Sequence, residues 1–200
     1  MQDSKIILVR HGLTEWNVKD LRLGSSDIIL NTDGEKQAER NGAYLADTHP
    51  YAIWHSGMQR TRYTAEVIAR HTHTTNITED VRLRERDHGD LEGTPRVVEG
   101  GVDATSLLSP EEADTRGVES IESTWARITD VYEDIRKQAL EGNGTIIVVA
   151  HNAPIRLMLA YASSKGPAAR SEFACECGSI ASISVGETGD TVEFTNRLPA

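Results

Sequence analysis

The sequence predicts an α/β fold, a three-layer α/β/α sandwich around a mostly parallel central sheet. Two runs of mainly branched apolar residues, 6–9 and 145–150, are typical of parallel strands buried on both faces. Segments with helical periodicity lie between the strand-like runs. This alternation favours a sheet that is covered by helices on both sides.

The composition is that of one folded domain spanning residues 1–200. Of these 200 residues, 38% are hydrophobic and 26% are charged. A chain of this size buries enough surface to fold without a disulfide or a structural metal. Cys175 and Cys177 are separated by one residue, which is too close for an unstrained disulfide, so we expect two free thiols.

The charge balance excludes two classes of partner. The chain carries 21 basic and 31 acidic residues, a net charge of −10. General nucleic-acid binders and anionic-membrane binders need a basic face, so we expect neither partner. No apolar run approaches the roughly 18 residues of a membrane span, and the start of the chain lacks a basic leader. The default expectation is a cytoplasmic protein.

The N-terminal half contains signals for three strands and two helices. The first strand, 6–9, ends at Arg10-His11-Gly12. Helix-start residues at 31–33 predict a helix through about Asp47. We then expect a strand over 52–54, a helix from Met58 to about His71, and a short third strand that includes parts of 76–77 and 81–83.

The C-terminal half begins with a segment that has no strong period. Residues 93–122 are rich in glycine and proline, which predicts an irregular acidic insertion or lid with a short helix from Pro110. A helical apolar stripe predicts a helix over 121–141, which Gly142-Asn143-Gly144 stops.

The strand 145–150 is the clearest in the chain, and it ends at His151. A helix should follow through Tyr161, with Asn152 as its cap and Pro154 in its first turn. Two terminal strands, 179–185 and 191–195, are expected around a turn at 186–189.

Two strong strands therefore end in a histidine, His11 and His151. Ligands of parallel sheets bind at the carboxyl ends of the strands, so both imidazoles are candidates for chemistry. A neutral imidazole can attack phosphorus, and an arginine fork such as that of Arg10 can bind the phosphate oxygens. By spacing alone, a second arginine could be either Arg60 or Arg62.

Motifs along most of the chain resemble the histidine phosphatase superfamily of phosphoglycerate-mutase-like proteins, specifically its shorter phosphatase branch. The motifs are Arg10-His11-Gly12 with Thr14, Trp16 and Asn17; Ser56-Gly57-Met58-Gln59-Arg60; Leu83-Arg84-Glu85; Gly117-Val118-Glu119-Ser120; and Ala150-His151-Asn152. The resemblance implies a phosphoglycerate-mutase-like sandwich. It also implies that Arg60, and not Arg62, is the site residue.

The resemblance implies a role for each matching residue. His11 would be the nucleophile, and Glu85 the proton donor and acceptor, selected by its motif over Glu92, Asp87 and Asp90. The residues implied to hold the phosphoryl group are Arg10, Arg60 and His151. The residues expected further toward the substrate are Asn17, Asn152, Arg22 and Thr14. Leu23 stands where relatives often carry a polar residue near the phosphate, so the resemblance does not define the outer rim of the phosphate pocket at this position.

The function implied is hydrolysis of phosphomonoesters through a covalent phosphohistidine. A phosphoglycerate mutase using the same intermediate is the first alternative, and an inactive binding module that retains the fold is the second. The expected partner is a small phosphorylated metabolite, with no cofactor and no metal, because arginines and imidazoles supply the charge stabilisation. A homodimer is left open, since dimers are common among relatives.

Acidic residues are concentrated in one window of the sequence. Residues 99–122 contain seven acidic residues and one basic residue, so they contribute −6 of the −10. If this segment overhangs the pocket, as the family's insertion does, it should disfavour highly anionic substrates. The expected preference is for monoesters over bisphosphates and polyphosphates.

Overall fold

The computed structural model describes residues 4–98, 101–142 and 144–200. Glu99, Gly100 and Asn143, which entered the predictions for the acidic segment and for a helix end, lie outside these residues. Within the described ranges, no helix combines the length and apolar character that crossing a bilayer requires.

A six-stranded sheet forms the centre, in the order β3-β2-β6-β1-β7-β8. Its strands are β1 (Ser4–Arg10), β2 (Ala52–His55), β3 (Ile77–Glu79), β6 (Thr145–Ala150), β7 (Ile180–Gly186) and β8 (Gly189–Arg197). The first four of these pair in parallel, whereas β7 and β8 are antiparallel. A separate two-stranded ribbon joins β4 (Val97–Val98) to β5 (Val102–Asp103).

The helices cover both faces of the sheet, as predicted. The principal ones are α2 (Thr32–Leu45), α3 (Gln59–Thr72), α5 (Ile121–Gly142) and α6 (Asn152–Ala162), and the short ones are α1 (Glu15–Val18) and α4 (Pro110–Thr115). Alternate residues of β1 face opposite sides of the sheet and so belong to two different hydrophobic cores. Ile7 and Val9 pack with Ile68 of α3, whereas Ile6 and Leu8 pack with residues of α5 and α6.

Two local expectations were wrong. Val81–Leu83 forms a 3₁₀ turn and not part of a strand, because the carboxylate of Asp80 accepts the backbone N–H of Arg82 at 2.8 Å and starts the turn. The predicted cap of α6 also fails. His151 occupies the cap position without a side-chain capping bond, and Asn152 is the first helical residue.

Two glycines bring the start of α2 against the loop that follows His11. A Cβ atom on Gly12 would lie 2.3 Å from the carbonyl oxygen of Gly34. A Cβ atom on Gly34 would lie 2.1 Å from the carbonyl oxygen of Leu13. Both obstacles are backbone atoms, so neither can move aside as a flexible side chain would.

Gly34→Ala should therefore lower the free energy of unfolding by about 2 kcal/mol or more, the range found for overpacked sites. Gly166→Ala is the matched control, because its Cβ would meet nothing within 4 Å and its φ of −82° suits any residue. The control should change stability by less than about 1 kcal/mol, in the stabilising direction. Urea unfolding of both variants measures the difference, and equal midpoints would contradict the close approach.

Candidate active site

The two histidines meet at the carboxyl edge of the sheet. Arg10 pairs with Ala150 in the parallel ladder between β1 and β6, so the next residue of each strand, His11 and His151, projects at the same level. Their ring centroids are 5.1 Å apart, with the planes at 63°. Both imidazoles are buried. The sequence prediction that they share one edge is confirmed.

The hydrogen bond of His11 determines which ring nitrogen carries the proton. Its Nδ1 lies 2.8 Å from the carbonyl oxygen of Gly12, which can only accept, so Nδ1 must hold the hydrogen. Nε2 then keeps its lone pair. Burial lowers the pKa of His11 well below the usual 6.5, and the positive charges of Arg60 and Arg10 lower it further. His11 is therefore a neutral imidazole with a free basic nitrogen.

His151 is held by an arginine on one side and a hydroxyl chain on the other. Its Nδ1 accepts the Nε–H of Arg60 at 3.3 Å, so its proton sits on Nε2 and is donated to the Ser56 hydroxyl at 2.8 Å. Ser56 then donates to Thr61 at 2.8 Å, and Thr61 donates to the carbonyl oxygen of Met58 at 2.9 Å. This chain fixes the tautomer of His151, whose pKa is lowered first by burial and then by Arg60.

Arg60 is fully buried and contacts the ring of His151. Its terminal nitrogens donate to the carbonyl oxygens of Ser26 at 2.7 Å and Gly24 at 3.0 Å. Burial lowers the pKa of Arg60 to about 10, which leaves the guanidinium charged at neutral pH. Arg62, the alternative that spacing left open, lies on the surface and pairs with Glu79.

The loop that holds Arg60 is itself held by Glu92. The carboxylate of Glu92 accepts the backbone N–H groups of Ser25 at 2.6 Å and Ser26 at 2.7 Å, and also both serine hydroxyls. Glu92 thus positions the carbonyl oxygens that orient Arg60, although it does not line the cavity.

Glu85 occupies the N-terminus of α6. Its carboxylate accepts the backbone N–H groups of Asn152 and Ala153, each at 3.0 Å, and that of Arg86 at 3.0 Å. Glu85 thereby takes the place at the helix end that the sequence assigned to the side chain of Asn152. The Oδ1 atom of Asn152 is buried with no hydrogen-bond partner among the described residues.

A cavity of about 470 Å³ opens above the histidines. Six of the predicted site residues line it: Arg10, His11, Asn17, Arg22, Glu85 and Asn152. Arg60 and His151, which were also predicted to hold the phosphoryl group, are fully buried and do not line it. Thr14 is fully buried and caps α1, where its hydroxyl donates to Asn17 Oδ1 at 3.0 Å, so it supports Asn17 and does not face the cavity.

The rim of the cavity contains few of the acidic residues expected from the predicted insertion or lid. Of the acidic residues that the structure describes between 101 and 122, only Asp103 lines the cavity, and it is paired with Arg22 at 2.8 Å. Glu119 is paired with Arg127, and the other described acidic side chains of this segment are exposed and do not line the cavity. The acidic lid therefore stays a prediction, and among the described residues Asp103 is its one acidic member in the cavity wall.

Leu23, the departure noted in the sequence, does line the cavity beside Arg22. Ser56, which contacts His151, was not predicted as a site residue. Four further arginines in the wall were not predicted either: Arg86, Arg96, Arg156 and Arg170. Arg86 could have been suspected from its position next to Glu85. No local pattern marks Arg170, which reaches the cavity from the 3₁₀ turn Pro167–Glu172.

Residues 6–197 match the sequence model of the histidine phosphatase superfamily (branch 1). Among curated proteins, a phosphoserine phosphatase 1 from Hydrogenobacter thermophilus is 34% identical over 158 residues, which cover 77% of this chain and 74% of that protein. A 2,3-bisphosphoglycerate-dependent phosphoglycerate mutase from Cytophaga hutchinsonii is 31% identical over 167 residues, which cover 81% of this chain and 78% of the mutase.

A solved structure shows the same fold. The crystal structure of a mutant phosphoserine phosphatase from Entamoeba histolytica, in complex with phosphoserine, superposes with a TM-score of 0.79. It is 24% identical to this chain, and the match covers 97% of each. The predicted sandwich architecture is confirmed.

The neutral state of the histidines should appear in the pH dependence of stability. The pKa of His11 is near 6.5 in the unfolded chain and well below it in the folded protein, so below about pH 6.5 the unfolded chain binds more protons. The free energy of unfolding should fall there, by about 1.4 kcal/mol per pH unit for each such histidine. His11→Asn should reduce the slope by about that amount. Urea unfolding at pH 6 and pH 5 measures both slopes, and parallel slopes would refute the assignment.

Proposed function

The chain belongs to the histidine phosphatase superfamily, branch 1, and from that premise we propose that it hydrolyses phosphomonoesters through a phosphohistidine formed on His11. Enzymes of this family are phosphatases or phosphoglycerate mutases that share the covalent phosphohistidine intermediate, and this chain is one of these enzymes. The single observation that carries the proposal is the hydrogen bond from His11 Nδ1 to Gly12, which leaves Nε2 unprotonated. His11 lines the cavity together with Arg10.

The first step transfers the phosphoryl group to the enzyme. His11 Nε2 attacks phosphorus, the bond to the ester oxygen breaks, and Glu85 gives its proton to that oxygen. Charge that develops on the phosphoryl oxygens is met by Arg10 in the cavity wall, and the fully buried Arg60 adds the field of its positive charge. Arg10 is anchored for this role, since its Nη1 donates to the carbonyl oxygen of Cys175 at 2.6 Å.

The second step releases inorganic phosphate. Water attacks the phosphorus of phosphohistidine, Glu85 takes the proton of that water, and the N–P bond breaks to return neutral His11. Glu85 is fixed at the N-terminus of α6, directly beyond His151, and two backbone N–H groups hold its carboxylate in orientation.

In this proposal the substrate is a small phosphorylated metabolite, which a cavity of about 470 Å³ can enclose. Several described residues of the segment 93–122, including Asp103 and Ile121, line the cavity, and in this proposal the whole chain acts as a single domain. The mutase alternative stays in consideration because curated relatives include mutases as well as phosphatases. A cytoplasmic location and a homodimer remain predictions from the sequence.

Replacing the proposed proton donor should reduce the rate of hydrolysis by an amount that depends on the leaving group of the ester. Glu85→Gln should reduce the hydrolysis of an alkyl ester such as glycerol 3-phosphate by about 100-fold or more, within the range for general acid catalysis. Formation of phosphohistidine from p-nitrophenyl phosphate should be much less affected, because p-nitrophenolate leaves without a proton. Rapid-quench measurement of p-nitrophenol release tests this, and equal losses on both esters would contradict the role of Glu85.

Replacing the proposed nucleophile should abolish turnover. His11→Ala should lower p-nitrophenyl phosphate hydrolysis by at least about 1,000-fold and leave no acid-labile phosphoprotein after incubation with labelled substrate. His71→Ala, which alters an imidazole at the far end of α3 that pairs with Glu39, is the control and should keep full activity. Full activity of His11→Ala would overturn the proposal. Isomerisation of 3-phosphoglycerate with a bisphosphoglycerate primer, and no hydrolysis, would instead favour the mutase.

A further inference from the structure

Arg127 of α5 binds the chain segment that leads into Glu85. Its Nη1 donates to the carbonyl oxygens of Arg82 and Arg84, each at 2.7 Å, and its Nη2 donates to that of Glu85 at 3.1 Å. Nη2 and Nε also donate to the two carboxylate oxygens of Glu119, at 2.8 and 2.7 Å. A guanidinium has five N–H groups, so every donor of Arg127 is used.

Glu119, the ion-pair partner of Arg127, holds the chain on the other side of Glu85. Its Oε2 accepts the backbone N–H of Asp87 at 3.2 Å, and its own N–H donates to the carbonyl oxygen of Asp87 at 3.0 Å. Its carbonyl oxygen accepts the Nε–H of Arg86 at 2.6 Å. The chain is therefore fixed both immediately before and immediately after Glu85.

Helix α5 gives this ion pair a rigid support. Ile128, next to Arg127, is fully buried in the same hydrophobic core as Leu83, which lies two residues before Glu85. The paired side chains are themselves shielded, with 21% of Arg127 and 16% of Glu119 exposed. Burial alone would raise the pKa of Glu119, but hydrogen bonds from Arg127 and its positive charge bring that pKa below its usual value. The carboxylate is therefore ionised beside the guanidinium.

The bonds from Glu85 to α6 tolerate little movement of the chain that Arg127 holds. Each carboxylate oxygen accepts one N–H from the start of the helix, that of Asn152 or that of Ala153, at 3.0 Å. These N–H groups belong to the first turn, where no carbonyl oxygen of the helix can accept them. A displacement of Glu85 by about 1 Å would take both bonds beyond hydrogen-bonding distance.

We propose that Arg127 is a positioning residue for proton transfer, which keeps the carboxyl group of Glu85 at the N-terminus of α6, within reach of the leaving oxygen. Arg127 is not among the described residues that line the cavity, so it acts on the substrate through Glu85. The inference rests on the proposed function and adds a residue to it. A proton donor must lie within about 3.2 Å of the oxygen that it protonates. A misplacement of about 1 Å can therefore cost about 100-fold in rate.

Arg127→Gln should impair the ester that needs a proton and spare the ester that does not. The kcat/KM for glycerol 3-phosphate should fall about 30-fold, a loss within the range for misplaced groups. Release of p-nitrophenol from p-nitrophenyl phosphate, followed by rapid quench, should change less than about threefold, because p-nitrophenolate leaves without a proton. A general loss of structure would affect both esters, so equal losses would overturn the proposal.

Arg136→Gln is the matched control. Arg136 lies further along α5, and 21% of its side chain is exposed, as for Arg127. It pairs with the shielded carboxylate of Asp190 in β8 at 3.0 Å, so its replacement removes a similar ion pair that does not contact the Glu85 segment. The control should lower the urea midpoint about as much as Arg127→Gln, yet keep the wild-type ratio between the two esters. A ratio that changes equally in both variants would count against the proposal.

A double-mutant cycle shows whether Arg127 acts through Glu85. In protein that already contains Glu85→Gln, adding Arg127→Gln should change kcat/KM for glycerol 3-phosphate by less than about threefold, because the proton donor is already absent. A further loss of about 30-fold would show that the two residues act independently, which contradicts the proposal. Arg127→Lys keeps the charge beside Glu119 but not the fork, so it should give a smaller loss on the same ester. It also supplies the measurement if Arg127→Gln does not fold.

Amide hydrogen exchange reports the position of Glu85 without any turnover. In Arg127→Gln the amides of Asn152 and Ala153 should exchange at least about 10-fold faster than in the wild type, because the displaced carboxylate no longer protects them. The amide of Ile155, which donates to the carbonyl oxygen of the residue before α6 at 3.1 Å, should be unchanged. If the wild type hydrolyses no phosphate ester yet the two amides respond, the proposed function fails and the positioning role stands. If hydrolysis occurs and neither amide responds, the positioning role fails.

Discussion

The site depends on the register of one parallel strand pair, β1 with β6. Both strands are buried on both faces, so their alternating side chains must fill two separate cores. A slip of one residue would exchange those cores and move one histidine relative to the other. Because Arg10 pairs with Ala150, the residues that follow them, His11 and His151, extend from the same edge of the sheet side by side. The neighbouring strand β2 leads to Ser56 and Arg60, which contact His151 from the adjacent position.

The same positive charges serve the imidazoles and the substrate. Arg60 and Arg10 surround His11, and their field disfavours a protonated ring, which would have no lone pair for attack. In the proposed function those charges also attract a phosphoryl dianion, so ligand binding and activation of the proposed nucleophile would have one cause. The carboxyl group of Glu85 is held by backbone N–H groups and not by an arginine.

The sequence predicted best where short-range pattern decides structure. The apolar runs of β1 and β6, the helical stripe of α5 and the cap signals of α2 all act over a few residues, and those elements were found close to where they were expected. Prediction failed where a distant group competes. Glu85 approaches the end of α6 from 67 residues away and replaces Asn152 as its cap. The acidic window between 99 and 122 was counted correctly, yet its orientation depends on tertiary packing that no local pattern records.

Glu92 supports the site through its hydrogen bonds, although its side chain does not line the cavity. Its carboxylate fixes Ser25 and Ser26, whose loop supplies the carbonyl oxygens that hold Arg60, and Arg60 in turn touches His151. A series of contacts from Glu92 through Ser26 and Arg60 thus reaches His151, the ring beside the proposed nucleophile. A mutational scan scored only by activity would rank Glu92 with the reacting groups. In evolution Glu92 would be conserved as strictly as a catalytic residue, although it only fixes the geometry of the Ser25–Ser26 loop.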